Sequence, residues 1–225
     1  MAKSKALVIV GNGEIAEMAF EYFTHDSDYE VAAFAIGQEY ITADTLMERP
    51  VAPLDALAQA YPPDRYEAFV AIGDLQLNRV RRRQVEATKA MGYRLASYVS
   101  SRAFVWHDVT IGENCFILEH NVLQPFTAVG DNVTLWSGNH IGHRSVIEDD
   151  VFMASHVVVS GFCRLGRSSF FGVNAALGPH VSVGADNYIG MGAVLTASTE
   201  PDGIYQGNPA ERRSVSAKRF CRVRD

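Results

Sequence analysis

Stepping by six from Val105 gives Val105, Ile111, Ile117, Leu123, Val129, Leu135, Ile141, Ile147, Met153, Val159, Leu165, Phe171, Leu177, Val183, Ile189 and Leu195. All are apolar, in a chain that is 48% hydrophobic. A period of six fits neither the 3.6-residue helix nor the alternation of an open sheet. It predicts a parallel β-helix from Phe104 to Thr199, whose short strands each send one apolar residue inward and bury it against neighbouring coils. Glycine often follows the aliphatic position (Gly112, Gly130, Gly142, Gly166, Gly172, Gly178, Gly184, Gly190), which predicts tight turns of positive φ there.

Before the repeats the pattern changes. Ala6 to Val10 reads as a strand running into Gly11-Asn12-Gly13-Glu14-Ile15-Ala16, after which Ala16, Ala19, Phe20 and Phe23 recur at helical spacing. A strand from Val31 to Ile36, a short helix from Pro53 to Tyr61, a strand from Phe69 to Ile72, a helix from Leu75 to Met91 and a strand from Arg94 to Tyr98 complete a βαβ alternation. That alternation predicts a parallel sheet in a Rossmann-like α/β domain over residues 1–100, with the β-helix and a tail over 101–225. A glycine turn at a helix N-terminus suits a phosphate, or merely packs strand against helix. No acidic residue ends the second strand at Ala35-Ile36-Gly37, so NAD is not expected. Arg79, Arg81, Arg82 and Arg83 read as a mainly solvated run, with Arg79 placed to reach a ligand beside Gly73 and Asp74.

The net charge of −6 over 225 residues leaves no excess cation for a phosphate backbone or an anionic membrane. Neither nucleic acid nor membrane insertion is expected. The three cysteines, Cys115, Cys163 and Cys221, are unpaired in spacing and read as reduced thiols of a cytoplasmic protein. The apolar run after Lys5 is too short for a signal peptide.

The repeat resembles the left-handed β-helix of hexapeptide acyltransferases. That resemblance implies three hexapeptides per coil, about five coils, stacking of residues eighteen apart, and a homotrimer. A Rossmann-like domain followed at once by such a helix is similar to the sialic-acid O-acetyltransferase-like family of sugar acetyltransferases, which includes N-acetyltransferases for nucleotide-linked amino sugars. The likeness rests on GNGEIA, on AIGDLQLNR from Ala71 to Arg79, on GNHIGHRSVI from Gly138 to Ile147, and on GNPA from Gly207 to Ala210. It implies acetyl-CoA as co-substrate and a nucleotide-sugar held by the N-terminal domain around Gly11, Asn12, Gly13, Gly73, Asp74 and Arg79. His143 matches the family's general base and Gly161, eighteen residues on, the amide that holds the acetyl carbonyl oxygen. Asn174, Gly190 and Gly192 match positions near the pantetheine arm, and the loop with Asn208 and Pro209 matches the one that covers it.

Three departures stand out. Arg144 occupies a commonly acidic position after the histidine, leaving that histidine's orienting partner open; a cation there would favour a neutral imidazole. Phe152 replaces a second family histidine, while His140 and His156 are extra and are open to substrate, catalytic or structural roles. The acidic pair that follows the second strand and contacts the base is absent. His25, His107, His120 and His180 read as surface or turn residues. Trp136, Phe126 and Phe170 read as filling corners between coils, a subunit interface or a sugar pocket. Rival readings are a sugar O-acetyltransferase, transfer of another acyl group, a zinc protein of the γ-carbonic-anhydrase kind with His140, His143 and His156 as ligands, and a non-catalytic trimeric scaffold.

Overall fold

A computed structural model describes residues 3–224. The chain forms two compact units: residues up to Gly73 together with Val80–Ser100, and Asp74–Arg79 together with the residues from Ser101 onward.

The first unit runs β1 (Lys5–Val10), α1 (Glu14–His25), β2 (Tyr29–Ile36), β3 (Thr45–Leu46), β4 (Arg49–Pro53), α2 (Leu57–Ala60), β5 (Glu67–Val70) and α3 (Arg79–Ala90), whose first residue belongs to the other unit. The sheet order is β3-β4-β2-β1-β5, parallel except where β3 meets β4. Leu7 to Val10 are buried, as expected of a strand covered on both faces. The helical spacing of α1 buries Ala16, Ala19, Phe20 and Phe23, and the Phe23 ring meets Phe69 at 5.1 Å. Two expected elements differ. Gln76, Leu77 and Asn78 have φ of 58°, 51° and 65°, so the helix expected from Leu75 begins only at Arg79. The strand expected from Arg94 contributes a single bridge, Ala68 with Leu95.

The second unit is a parallel β-helix, and each apolar position named above is the second residue of a two-residue strand. Strands pair with those eighteen residues away, Val122 with His140 and His140 with Val158, as the three-per-coil reading requires. Three faces result. The first runs from Phe104–Val105 through His140–Ile141 to Val194–Leu195, the second from Thr110–Ile111 to Ser182–Val183, and the third from Phe116–Ile117 to Tyr188–Ile189 and on to Ile204–Gln206.

The glycines after the aliphatic positions do not adopt positive φ, which corrects the expectation above. Left-handed φ recurs three places after the aliphatic residue, at every sixth residue from Asn114 to Gly192, and Phe126, His156, Phe162 and His180 accept it. What requires the glycines is the close approach of rungs. A Cβ on Gly142 would lie 2.5 Å from the Ser160 carbonyl carbon, and one on Gly172 2.5 Å from the Met191 nitrogen.

A second inward position, four places after each aliphatic residue, holds small side chains: Cys115, Asn121, Thr127, Val133, Asn139 and Ser145 are buried there, and Cys163 follows. Its polar members bond carbonyls, as Asn121 Nδ2 does to Trp136 O at 2.9 Å and Ser145 Oγ to Ser160 O at 3.0 Å. Cys115 and Cys163 are buried free thiols.

Aromatic rings cover the third face: Phe152 stacks on Phe170 at 5.5 Å and Phe170 on Tyr188 at 4.8 Å. Leu77, Ile204 and Ala217 are buried with Phe170 and Tyr188, which is why residues 74–79 cluster with the second unit. The first face and its two edges are different. Phe104 is 52% exposed, Phe126 57%, Val158 46%, Phe162 46% and Met191 80%.

Candidate active site

His143 lies in the turn from the first face to the second, two places after the inward Ile141. Its backbone N–H donates to Gln124 Oε1 at 2.9 Å, and its ring Nδ1 sits 3.4 Å from the same oxygen. With the proton on Nδ1, Gln124 accepts it and Nε2 keeps a lone pair toward solvent. Gln124 therefore supplies the orienting partner that the sequence left open. The Arg144 guanidinium instead stacks over the Phe126 ring at 4.3 Å.

One coil further along the same edge, Gly161 lies under the imidazole. A Cβ there would fall 2.6 Å from His143 Cε1 and 2.9 Å from Nε2, so only glycine leaves the ring its place. Phe162 meets the ring edge-on at 5.0 Å, and His180 stacks on Phe162 at 4.9 Å. The Gly161 N–H has no hydrogen-bond partner among the described residues, whereas the equivalent amides of Glu113 and Asp131 are bonded by Asp131 and Asp149. Nucleophile activation and oxyanion binding are thus available within one edge.

Other residues read from the sequence divide between places. His140 is half-buried on the first face, paired with Val122 and Val158. His156, Asn174, Gly190 and Gly192 lie on the opposite edge of that face, where the His156 ring packs on Gly138 and Asn174 N donates to Ser155 O at 3.1 Å. Asn208 and Pro209 belong to the loop beyond the last rung. His140, His143 and His156 are spread over a face and its two edges, and among the described residues no three His, Cys, Asp or Glu side chains converge as metal ligands.

In the first unit a cavity of about 710 Å³ opens at the C-terminal ends of the strands, where Gly11, Asn12, Gly13 and Gly73 line it. Gly11 has φ 134° and a Cβ on it would stand 2.5 Å from Ala71 O, so the turn needs glycine. Gly13 leaves α1 without a side-chain cap, and Glu14 and Ile15 of its first turn line the cavity. Asp74 and Arg79 do not line it. Arg79 is buried and ion-paired with Asp186 at 2.6 Å, and Lys218 shares that carboxylate at 3.3 Å; the expected ligand contact is a structural one. Arg81 is also buried, whereas Arg82 is half-buried and Arg83 exposed, so the arginine run is solvated only in part. Sequence reasoning missed Glu39 and Tyr40, which line the cavity from the short 3-10 turn Gln38–Tyr40 beyond β2.

Comparison with known proteins agrees with this architecture. The chain superposes with TM-score 0.82 on a histidine-to-asparagine variant of perosamine N-acetyltransferase from Caulobacter crescentus in complex with CoA and GDP-perosamine, at 23% identity, covering 93% of this chain and 97% of that one. The acetyltransferase domain of PglB from Neisseria gonorrhoeae in complex with acetyl coenzyme A matches with TM-score 0.83 at 22% identity, covering 93% and 100%. The fold is therefore an α/β unit followed by a left-handed β-helix. By sequence, the acyl-[acyl-carrier-protein]–UDP-N-acetylglucosamine O-acyltransferase of Rhizobium johnstonii is 26% identical over 108 residues, which are 45% of this chain. The chain spans about 40% of the length of that relative. No family model matches it. No described helix is long and apolar enough to cross a membrane.

Proposed function

We propose that the protein transfers the acetyl group of acetyl-CoA to the amine of a nucleotide-linked amino-deoxysugar. The observation that carries this reading is the His143 imidazole held by Gln124 over Gly161, beside an unpartnered amide. The neutral imidazole takes the proton from the amine as nitrogen attacks the thioester carbon, and the Gly161 N–H receives the negative oxygen. Collapse of the tetrahedral adduct breaks the C–S bond, and the imidazolium returns its proton to the departing sulfur. The products are an amide and free CoA. A fixed donor aimed at the oxyanion contributes roughly 3 to 4 kcal/mol of transition-state stabilisation.

The nucleoside end occupies the cavity of the first unit, where Glu39 offers a carboxylate to base N–H donors. Support for a sugar nucleotide with CoA comes from the ligands named with the solved neighbours. The exposed apolar side chains of the first face and its edges support a homotrimer in which neighbouring copies cover them. An acceptor hydroxyl is the second reading, favoured by the O-acyltransferase relatives. The test offers acetyl-CoA with a panel of nucleotide sugars and reads free thiol. Release with an amino sugar is expected; release only with a hydroxyl acceptor would replace the N-acetyl reading.

A further inference from the structure

Between Ser101 and Glu200 the chain carries four Lys or Arg residues against nine Asp or Glu, so carboxylates are plentiful along the β-helix. Arg164 and Arg167 use them and are ion-paired with Glu148 and Asp149. Arg144, the residue after His143, does not. It is exposed, and its guanidinium has no hydrogen-bond or ion-pair partner among the described residues. The group is nevertheless held in place, 4.3 Å over the Phe126 ring. A positioned cation with its N–H donors free, adjoining the imidazole that takes the proton, suits an anion on the molecule that gives the proton up. We infer that Arg144 binds a carboxylate of the acceptor, so that the substrate is a nucleotide-linked amino sugar carrying an acid group close to its amine. The inference rests on the amine-acetylation reading above.

The outward column to which Arg144 belongs shows which reactant it faces. Phe126, Arg144, Phe162 and His180 follow one another at intervals of eighteen residues and form two stacks, Arg144 on Phe126 and His180 on Phe162 at 4.9 Å. His143 meets the later stack, edge-on to Phe162 at 5.0 Å. The acyl group belongs there too, because the amide assigned to the oxyanion is that of Gly161, one coil after His143. Arg144 packs the opposite way, onto a ring one coil earlier. The thioester is thus placed on one side of the imidazole and the cation on the other, which is the side left for the acceptor.

Reach fits a carboxylate on the sugar ring itself. An amine and a carboxyl carbon separated by three or four bonds lie about 3 to 5 Å apart, close to the spacing of about 3.8 Å between successive Cα atoms. An amine at His143 therefore brings its carboxylate to the neighbouring side chain. The diphosphate of such a substrate is provided for elsewhere, at the Gly11–Gly13 turn that opens α1 in the first unit, and the phosphates of CoA stand a pantetheine arm away from the thioester.

The test compares nucleotide-linked amino-hexuronates with the matching amino-hexoses, offered as UDP and GDP derivatives with acetyl-CoA and read as free thiol. Wild type is expected to favour the hexuronate about tenfold or more in kcat/KM, and Arg144→Gln, which keeps an amide donor without the charge, to lose most of that ratio. Arg144→Lys is expected to restore part of it, and added salt to erode the ratio in wild type more than in Arg144→Gln. The position is exposed, and circular dichroism checks that both variants fold. Equal kcat/KM for the two sugars, or an unchanged ratio in Arg144→Gln, overturns the inference and leaves the acetyl-transfer reading standing. An equal fall on both sugars, with UDP bound correspondingly more weakly, assigns the cation to the diphosphate, and a smaller assembly in sedimentation assigns it to a subunit contact; either result overturns the carboxylate. No thiol release with any of the amines overturns the amine-acetylation reading itself.

Discussion

The two units build their candidate sites in opposite ways. In the β-helix, the backbone is fixed by rungs eighteen residues apart and by small inward side chains, while His143, His156 and Asn174 sit on outward turn positions, exposed and outside the buried core. In the α/β unit, part of the cavity wall is the folded backbone: the Gly11 turn closes against Ala71 O, and the residues at and just beyond the ends of β1 and β5 line it beside Glu39 and Tyr40. The chemistry proposed for the β-helix is therefore separable from folding. The binding proposed for the α/β unit is not.

The largest expected effect tests that separability. His143→Ala is expected to lower kcat by roughly 10²- to 10⁴-fold, the usual worth of a general base, while the thermal midpoint moves by no more than about 2 °C. A collapse in thermal stability would show that the imidazole is part of the fold after all.

Glycines sharpen the comparison next. Gly172→Ala in the β-helix and Gly11→Ala in the α/β unit each place a Cβ 2.5 Å from backbone atoms, and each is expected to cost about 1 to 3 kcal/mol in urea unfolding. Gly13→Ala meets nothing within 4 Å and is expected to stay within about 0.5 kcal/mol of wild type. Equal losses at Gly13 and Gly11 would remove the distinction between cavity wall and cavity mouth.

Gln124→Ala takes away the acceptor that orients His143. Loss of one hydrogen bond of about 1 to 1.5 kcal/mol is expected to reduce kcat about tenfold with little change in stability. An unchanged kcat would mean that Phe162 and Gly161 suffice to hold the ring.

The smallest effect concerns alkaline pH. Burial, and then the charges of Asp74 and Asp202, push the Cys221 thiol up to about 11. A raised thiol pKa gives stability that is complete below the ordinary value of about 8.5 and is lost as pH rises toward the folded value. The urea midpoint of wild type is expected to fall between pH 8 and pH 10.5, and that of Cys221→Ser to fall less. Identical slopes would assign the alkaline loss to other groups.

Most of the β-helix was legible because each coil repeats one physical demand, and a single apolar position per six residues reports it. The same eighteen-residue spacing, stepped back from Gly142, reaches Gln124, so the orienting residue was within reach of the pattern. The glycines misled because a missing side chain serves either an unusual φ or a close neighbour, and only coordinates distinguish the two. In the α/β unit, β4 carries Pro50 and Pro53, which lack the N–H of an interior strand and hide it. Glu39 escaped because it lies on a 3-10 turn beyond the strand end where an acidic residue was sought. Arg79 looked like a ligand contact because its helix position is visible in sequence, while its partner Asp186 lies 107 residues further on.

Stacking in steps of eighteen also governs which insertions such a chain can accept. One added residue between two rungs would throw every later side chain off its face, and six would move the downstream residues round to the next face. Eighteen would insert a whole coil and leave every outward position where it was. A change in the number of stacked rungs that keeps every outward position on its face therefore comes in whole coils, and each coil gained between His143 and Gly207 would lengthen the path between them by about 4.8 Å.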